Sequence, residues 1–164
     1  MRIIPFLFLL ILFSCSSEKD DYLKPLNLLE YDVPLTILAP DSVNVSKQKF
    51  GVSDEVTIES QKSDDYQVRI YFGEATLSVE DVKAQQLKFL KDSEIVTFSK
   101  LIVDEPKGFV YETKIDSTHL NYGFRRIVIM GDREYIFHSG SGTYTQEQAE
   151  EMYQATLPQE VEIK

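Results

Sequence analysis

Two histidines and one cysteine are the whole stock of soft-metal and strongly nucleophilic side chains in this 164-residue chain. Zinc requires three or four His, Cys or carboxylate ligands at defined spacing. His119 and His138 form no H-x-x-x-H pair, no C-x-x-C exists, and so neither a metal site nor any other cofactor is expected. The stretch "HSGSGTY" (138–144) is not a nucleophile elbow, because Ser141 sits directly between Gly140 and Gly142 and G-x-S-x-G is absent. Read as a phosphate cradle, it precedes a helix loaded with Glu147, Glu150 and Glu151, which oppose an anion there. A strand-to-helix loop is the simpler reading. The remaining polar cluster is Thr113, Arg125 and His138, brought together if the strands pair as described below. A guanidinium beside an imidazole favours the neutral ring, leaving an acceptor next to a cation that could hold a ligand carboxylate. The competing reading places Arg125 at a rim, reaching an acid, with His138 merely ending a strand.

The elements that would position these residues follow from hydrophobic period. "VPLTILAPDS" (33–42) alternates between prolines and predicts a strand; "DEVTIES" (54–60) and "YQVRIYF" (66–72) predict a hairpin joined near "QKSDD". Ser78-Val79-Glu80-Asp81 has capping-box spacing, and Val79, Val82, Phe89 and Leu90 recur on neighbouring turns, predicting a helix from 79 to about 91. Strand character returns across "IVTFSKLIVDEPKGFVYETKID", folded about Glu105-Pro106-Lys107-Gly108, with Gly108 expected at positive φ. In "YGFRRIVIMGDREYIFHSG" a two-residue turn at Gly131-Asp132 joins strands 124–130 and 133–138. A last helix is expected from about 146 to 157, capped by Thr145 with Gln148, its stripe being Ala149, Met152, Tyr153 and Leu157.

A turn at 131–132 pairs Ile127 with Ile136, Arg126 with Phe137 and Arg125 with His138. Pairing Asp116 with Tyr122 in the preceding loop then sets Tyr111 beside Ile127, Glu112 beside Arg126 as a cross-strand ion pair contributing about 0.2–1 kcal/mol, and Thr113 beside Arg125. One side of these strands carries Phe109, Tyr111, Ile115, Ile127, Ile129 and Ile136; the other carries Val110, Phe124, Val128, Met130, Tyr135 and Phe137. Both sides are apolar, whereas a sheet wet on one side alternates more cleanly, so the two helices are expected on opposite faces.

The N-terminus follows a different logic. Arg2 precedes Ile3 to Phe13, an apolar run broken only by Pro5, which as a helix reaches roughly 16 Å, about half of a ~30 Å hydrocarbon core. A basic start, a short apolar run and a small residue are the anatomy of a secretory signal, so 1–14 is set aside. Leu12-Phe13-Ser14-Cys15 resembles a bacterial lipobox, in which the cysteine is acylated and heads the mature chain. The resemblance implies lipidation at Cys15 and anchoring by several acyl chains. An ordinary signal with an incidental Cys15 is the alternative. Ser16-Ser17-Glu18-Lys19-Asp20-Asp21 resembles the acidic export tag of surface lipoproteins of Bacteroidota; it also reads as a plain solvated tether. Residues 15–32 are taken as lipidated N-terminus and tether, and 33–164 as one globular domain, 150 residues after the leader being enough for one core and too few for two.

Losing Arg2 with the leader moves the formal charge from −10 to −11. Such a surface is not steered toward nucleic acid phosphates or anionic lipid headgroups. With Cys15 alone, no intramolecular disulfide can form and packing carries stability. Asp64-Asp65 and Asp20-Asp21 read as solvated loops, since calcium needs several more oxygens.

The element order, with "LTILAPDS" as first strand, "SVEDVKAQQLKFL" as inserted helix, then "GFVYETKI", "FRRIVIMGDREYIFHSG" and "TQEQAEEMYQATL", resembles the PsbP-like fold, including the DcrB-type bacterial lipoproteins. The resemblance spans about 33–158. It lacks the tryptophan often found after the first strand's proline in that group. It implies an α+β domain, an antiparallel β-sheet with helices on both faces, and a mostly non-enzymatic accessory role in the envelope. Two functions are carried forward. One is a lipid-anchored outer-membrane protein, facing the periplasm or the cell surface, that binds an envelope protein partner. The other is a small-molecule binder or hydrolase built on Arg125 and His138.

Overall fold

Strand-forming alternation accounts for most of the chain between Leu23 and Ser139. The computed structural model describes residues 22–115 and 119–157. Its elements are β1 (Leu23–Asn27), a 3-10 turn (Leu29–Tyr31), β2 (Thr36–Pro40), β3 (Val43–Phe50), β4 (Ser53–Ser60), β5 (Gln67–Glu74), α1 (Val79–Lys91), β6 (Thr97–Glu105), β7 (Gly108–Lys114), β8 (Leu120–Met130), β9 (Arg133–Ser139) and α2 (Gln146–Ala155). They make one domain that is mostly antiparallel sheet with two helices. Seven strands lie in the order β3-β4-β5-β9-β8-β7-β6, and β1 pairs with β2 in a separate ribbon. The Cys15 lipobox, the 16–21 stretch and Asp116 lie outside the described residues.

Local chemistry sets the boundaries. Ser78 Oγ accepts the Asp81 amide (3.1 Å) at the start of α1, and Thr145 and Gln148 cap α2 reciprocally, satisfying amides that the first helical turn leaves open. The β8–β9 turn has positive φ at Gly131 (61°) alone, the sign pattern of a type II′ turn, whose twist matches its strands.

Two apolar clusters hold the domain. The larger gathers Val56, Ile58, Val68, Ile70, Val110, Phe124 and Phe137 with Ala149, Met152 and Tyr153 of α2 and with Ile37 and Ala39 of β2. The smaller joins Leu90 of α1 to Phe109 and Tyr111, flanked by Leu87, Phe98 and Leu101. Tyr66 ties the β1–β2 ribbon to the main sheet by donating its hydroxyl to the Leu38 carbonyl (2.7 Å).

Several expectations change. Residues 23–27, assigned to the tether, form a strand paired with β2 along its whole length. β3 was not expected; it is an edge strand whose inward row runs Val43, Val45, Lys47, and Lys47 sits inward because it pairs with Asp32 and Asp54 (3.2 Å to the latter) and lies 5.3 Å from the Phe72 ring. Gly108 does not take positive φ. It is needed for close approach, since a Cβ there would lie 2.5 Å from the Arg125 carbonyl and 2.9 Å from the Tyr153 ring. Phe89, placed in the helix stripe, is 62 % exposed, whereas Val82 and Leu90 are buried.

Candidate functional site

The β8–β9 register is the expected one: Arg125 lies opposite His138, Arg126 opposite Phe137 and Ile127 opposite Ile136. The β7–β8 register differs by four residues, with Lys114 opposite Leu120 and Phe109 opposite Arg125. An even slip preserves which side each residue occupies, so the expected division of apolar residues stands while the neighbours change. Thr113 faces Asn121 instead of Arg125, and its hydroxyl donates to the Asn121 carbonyl (3.2 Å). It lies four residues along β7 from Phe109, roughly 13 Å from the Arg125 row. The proposed trio is therefore a pair.

Glu112 and Arg126 do not meet either. Glu112 faces Tyr122, and its carboxylate accepts from Ser99 (2.7 Å) and Tyr122 (3.1 Å) with Lys100 at 3.5 Å, holding its pKa below the usual value, the Ser99 bond first among the causes. Arg126 faces Gly108, and its guanidinium lies 5.8 Å from the Tyr153 ring. The Tyr153 hydroxyl donates to Glu105 (2.7 Å), and burial lowers the Arg126 pKa.

Sequence reasoning missed the third member of the pair's row. β5 pairs with β9, which puts Arg69 directly opposite His138, and Thr57 opposite Arg69. Direct partners share a side of the sheet, so Thr57, Arg69, His138, Arg125 and Phe109 form one row over five strands. No local pattern announces β5–β9 pairing, because the two strands are separated by α1 and three other strands. Among the described residues, neither Arg69 nor Arg125 forms an ion pair. Arg125 donates to the Phe124 carbonyl (3.0 Å) and sits 5.6 Å from the Tyr111 ring.

His138 is 9 % exposed. Tyr71 stacks on its ring, with centroids 4.9 Å apart and planes 14° from parallel. Its Nδ1 lies 2.8 Å from the Ser139 carbonyl, an acceptor, so the proton sits on Nδ1 and Nε2 carries the lone pair. Burial first, then the Arg125 charge, pushes its pKa down to about 3. Nε2 is buried without a hydrogen-bond partner, as is Nε of Arg69. A neutral ring of this tautomer accepts from a hydroxyl or amide; it does not bind a carboxylate itself.

Among the described residues no hydroxyl hydrogen-bonds Nε2 of the ring. The Ser139 hydroxyl sits in the next register position, accepting weakly from the Phe124 amide (3.4 Å), and the Ser141 amide donates to the Gln67 side chain (3.0 Å). Of "HSGSGTY", His138 and Ser139 end β9 and the rest is a strand-to-helix loop tied to β5, while the Gln148 amide beyond it donates to the Thr145 hydroxyl (3.3 Å). Among the described residues no three His, Cys, Asp or Glu side chains cluster as metal ligands, and no helix is long and apolar enough to cross a membrane.

Among the described residues two concavities open toward the ends of the sheet, neither of them lined by Arg125 or His138. One of about 560 Å³ opens at the end of the sheet between Glu59, Asp64, Gln67 and Thr143. Another, of about 580 Å³, lies at the opposite end, lined by Val52, Tyr71, Thr76, Gln86, Glu134 and Ile136. Beside it the β3–β4 turn exposes Phe50 (52 %) and Val52 fully. No model of a known protein family matches the chain, and no curated protein matches it significantly.

Proposed function

We propose that the protein is a lipid-anchored component of the cell envelope, held by acylated Cys15 in the outer membrane, and that it works as a non-enzymatic binding module for a protein partner. The observation that carries the non-enzymatic part is the state of His138. The best general-base candidate in the chain is buried beneath Tyr71, committed through Nδ1, and neutral down to acidic pH, with no hydroxyl among the described residues bonded to its free nitrogen. General-base catalysis needs reach to a substrate proton and a pKa near the working pH, and His138 has neither.

The partner reading rests on the exposed apolar side chains at the β3–β4 turn and on the adjoining cavity, whose mixed lining of Val52, Tyr71, Gln86 and Glu134 suits a protein surface. The domain is proposed as a PsbP-like sandwich with helices on both faces. In support, consecutive β7 residues divide between the clusters, Phe109 and Tyr111 with Leu90 of α1, Val110 with Met152 and Tyr153 of α2.

A photo-crosslinking residue in place of Val52, used in intact native cells, tests the partner. The reading expects one reproducible envelope protein joined at that position and not at Asn44. An absence of adducts at Val52 across repeats contradicts it.

The small-molecule alternative has one observation in its favour, the unpartnered Nε2 of His138 between Arg69 and Arg125. A ligand there would offer a hydroxyl to the imidazole and an anionic group to the arginines. Exchanging Arg69 and Arg125 for Gln together would abolish its binding and leave the Val52 crosslink intact.

A further inference from the structure

Several of the exposed large apolar side chains of this domain gather at one margin, while others, Leu29, Phe50, Val52, Tyr71 and Leu77, lie away from it. Thr97 pairs with Lys114 and Lys114 with Leu120, so the start of β6, the end of β7 and the start of β8 form one margin of the sheet. At that margin Ile95 is 88 % exposed, Ile115 48 % and Leu120 42 %. Phe89, 62 % exposed, lies on the last turn of α1, which leads into the same margin.

The chain enters at this end too. Tyr22 shares a small cavity with Ser42, Ser60 and Lys62, beside the β4–β5 turn. From there the margin continues through Gln67, whose carbonyl accepts the Gly140 amide (2.8 Å), to the Tyr144 carbonyl, which accepts the Tyr122 amide (3.2 Å) two residues beyond Leu120. Phe50 and Val52 stand at the other end, an eight-residue strand or roughly 27 Å away.

We infer that this margin, with Ile95, Ile115 and Leu120 at its centre, docks on the lipid surface to which the chain is tethered. The inference rests on acylation of Cys15, as proposed above. Only residues 16–21 separate Cys15 from Tyr22, and seven steps of extended chain reach at most about 25 Å. A domain held so closely meets the bilayer either with a flank or with the end where its chain enters, and the apolar residues at that end decide between them. Aliphatic side chains gain by leaving water for the acyl boundary, and an exposed tyrosine such as Tyr22 suits the headgroup level. Charges at this end are of mixed sign, Lys62, Lys91 and Lys114 with Glu59, Asp64, Asp65, Asp92 and Glu94, so there is no basic excess to call for anionic lipid and the docking is apolar. Docking there turns Val52 and its cavity away from the bilayer, toward a partner.

The test uses the full acylated chain in phosphatidylcholine vesicles carrying a chain-attached nitroxide quencher. Acylated Cys15 leaves no other thiol, so Glu94→Cys reports the docked margin and Asp132→Cys the far end, each carrying a fluorophore. The expected result is several-fold stronger quenching at position 94 than at 132. Adding Ile95→Ser, Ile115→Ser and Leu120→Ser to the Glu94→Cys chain removes that excess while the acyl mass remains. Equal quenching at the two positions, or an excess that survives the triple replacement, overturns the inference with the anchor intact, and the former leaves the margin to a protein. A chain without acyl mass overturns the anchor as well.

Discussion

Arg125 and Arg126 are neighbours in sequence and belong to two different regions of the molecule. On the Arg126 side, Phe137, Ile70 and Val56 follow one another from Arg126 across the next three strands, and all three are closed from water, as is Phe124 two residues before Arg126. Arg126 itself is 5 % exposed there, beneath an aromatic ring. On the Arg125 side the apolar Phe109, Tyr111 and Ile127 of β7 and β8 give way across β9, β5 and β4 to His138, Arg69, Thr57 and Glu55. The larger cluster supplies most of the apolar burial, which leaves the second side free to carry polar groups at tolerable cost. A sheet stabilised mainly from one side can spend the other on recognition.

Removing one aromatic from each side should separate the two regions by the widest margin. Phe137→Ala should cost about 3–5 kcal/mol in urea unfolding, and Tyr71→Ala, 38 % exposed on the other side, less than half as much. Equal losses would mean that the two sides share stability. Gly108→Ala drives a methyl into the Arg125 carbonyl and the Tyr153 ring on the Arg126 side, and should cost roughly 1–3 kcal/mol by the same assay.

The polar side has its own signature in acid. His138 has a native pKa depressed from 6.5 to about 3, so the unfolded chain binds more protons in that window and stability falls as pH drops through it. The slope from this group is at most about 1.4 kcal/mol per pH unit, and His138→Gln should flatten the curve between pH 6 and 4 by up to that amount. An unchanged slope would place the ring in water. The smallest effect expected is at Thr145, where Thr145→Ala removes the reciprocal cap of α2 and should cost about 1 kcal/mol in thermal unfolding.

Local signals were legible where chemistry is local. Ser78 and Asp81 mark the start of α1, the Gly131-Asp132 turn dictates Arg125 opposite His138, and Thr145 with Gln148 marks α2. The β7–β8 register was not, because the connection from Ile115 to His119 lacks a turn signature and the Ile115 amide bonds the His119 carbonyl (3.0 Å), closing the hairpin sooner than assumed. β1 was hidden by Pro25 within a five-residue strand, and β3 by Lys47 at an inward position. Arg69 was invisible because β5 reaches β9 only once β6, β7 and β8 have been laid down beyond it. Of the candidate site, the Arg125–His138 contact could be read and its third member could not.

Attachment through Cys15 is what the proposed docking of the Ile95 margin and the proposed outward placement of Val52 both depend on. Mass spectrometry of the N-terminal peptide from the native protein tests it directly. The predicted result is a chain beginning at Cys15 with fatty acyl mass on that residue; a free thiol at Cys15, or a chain cut at another position, contradicts it.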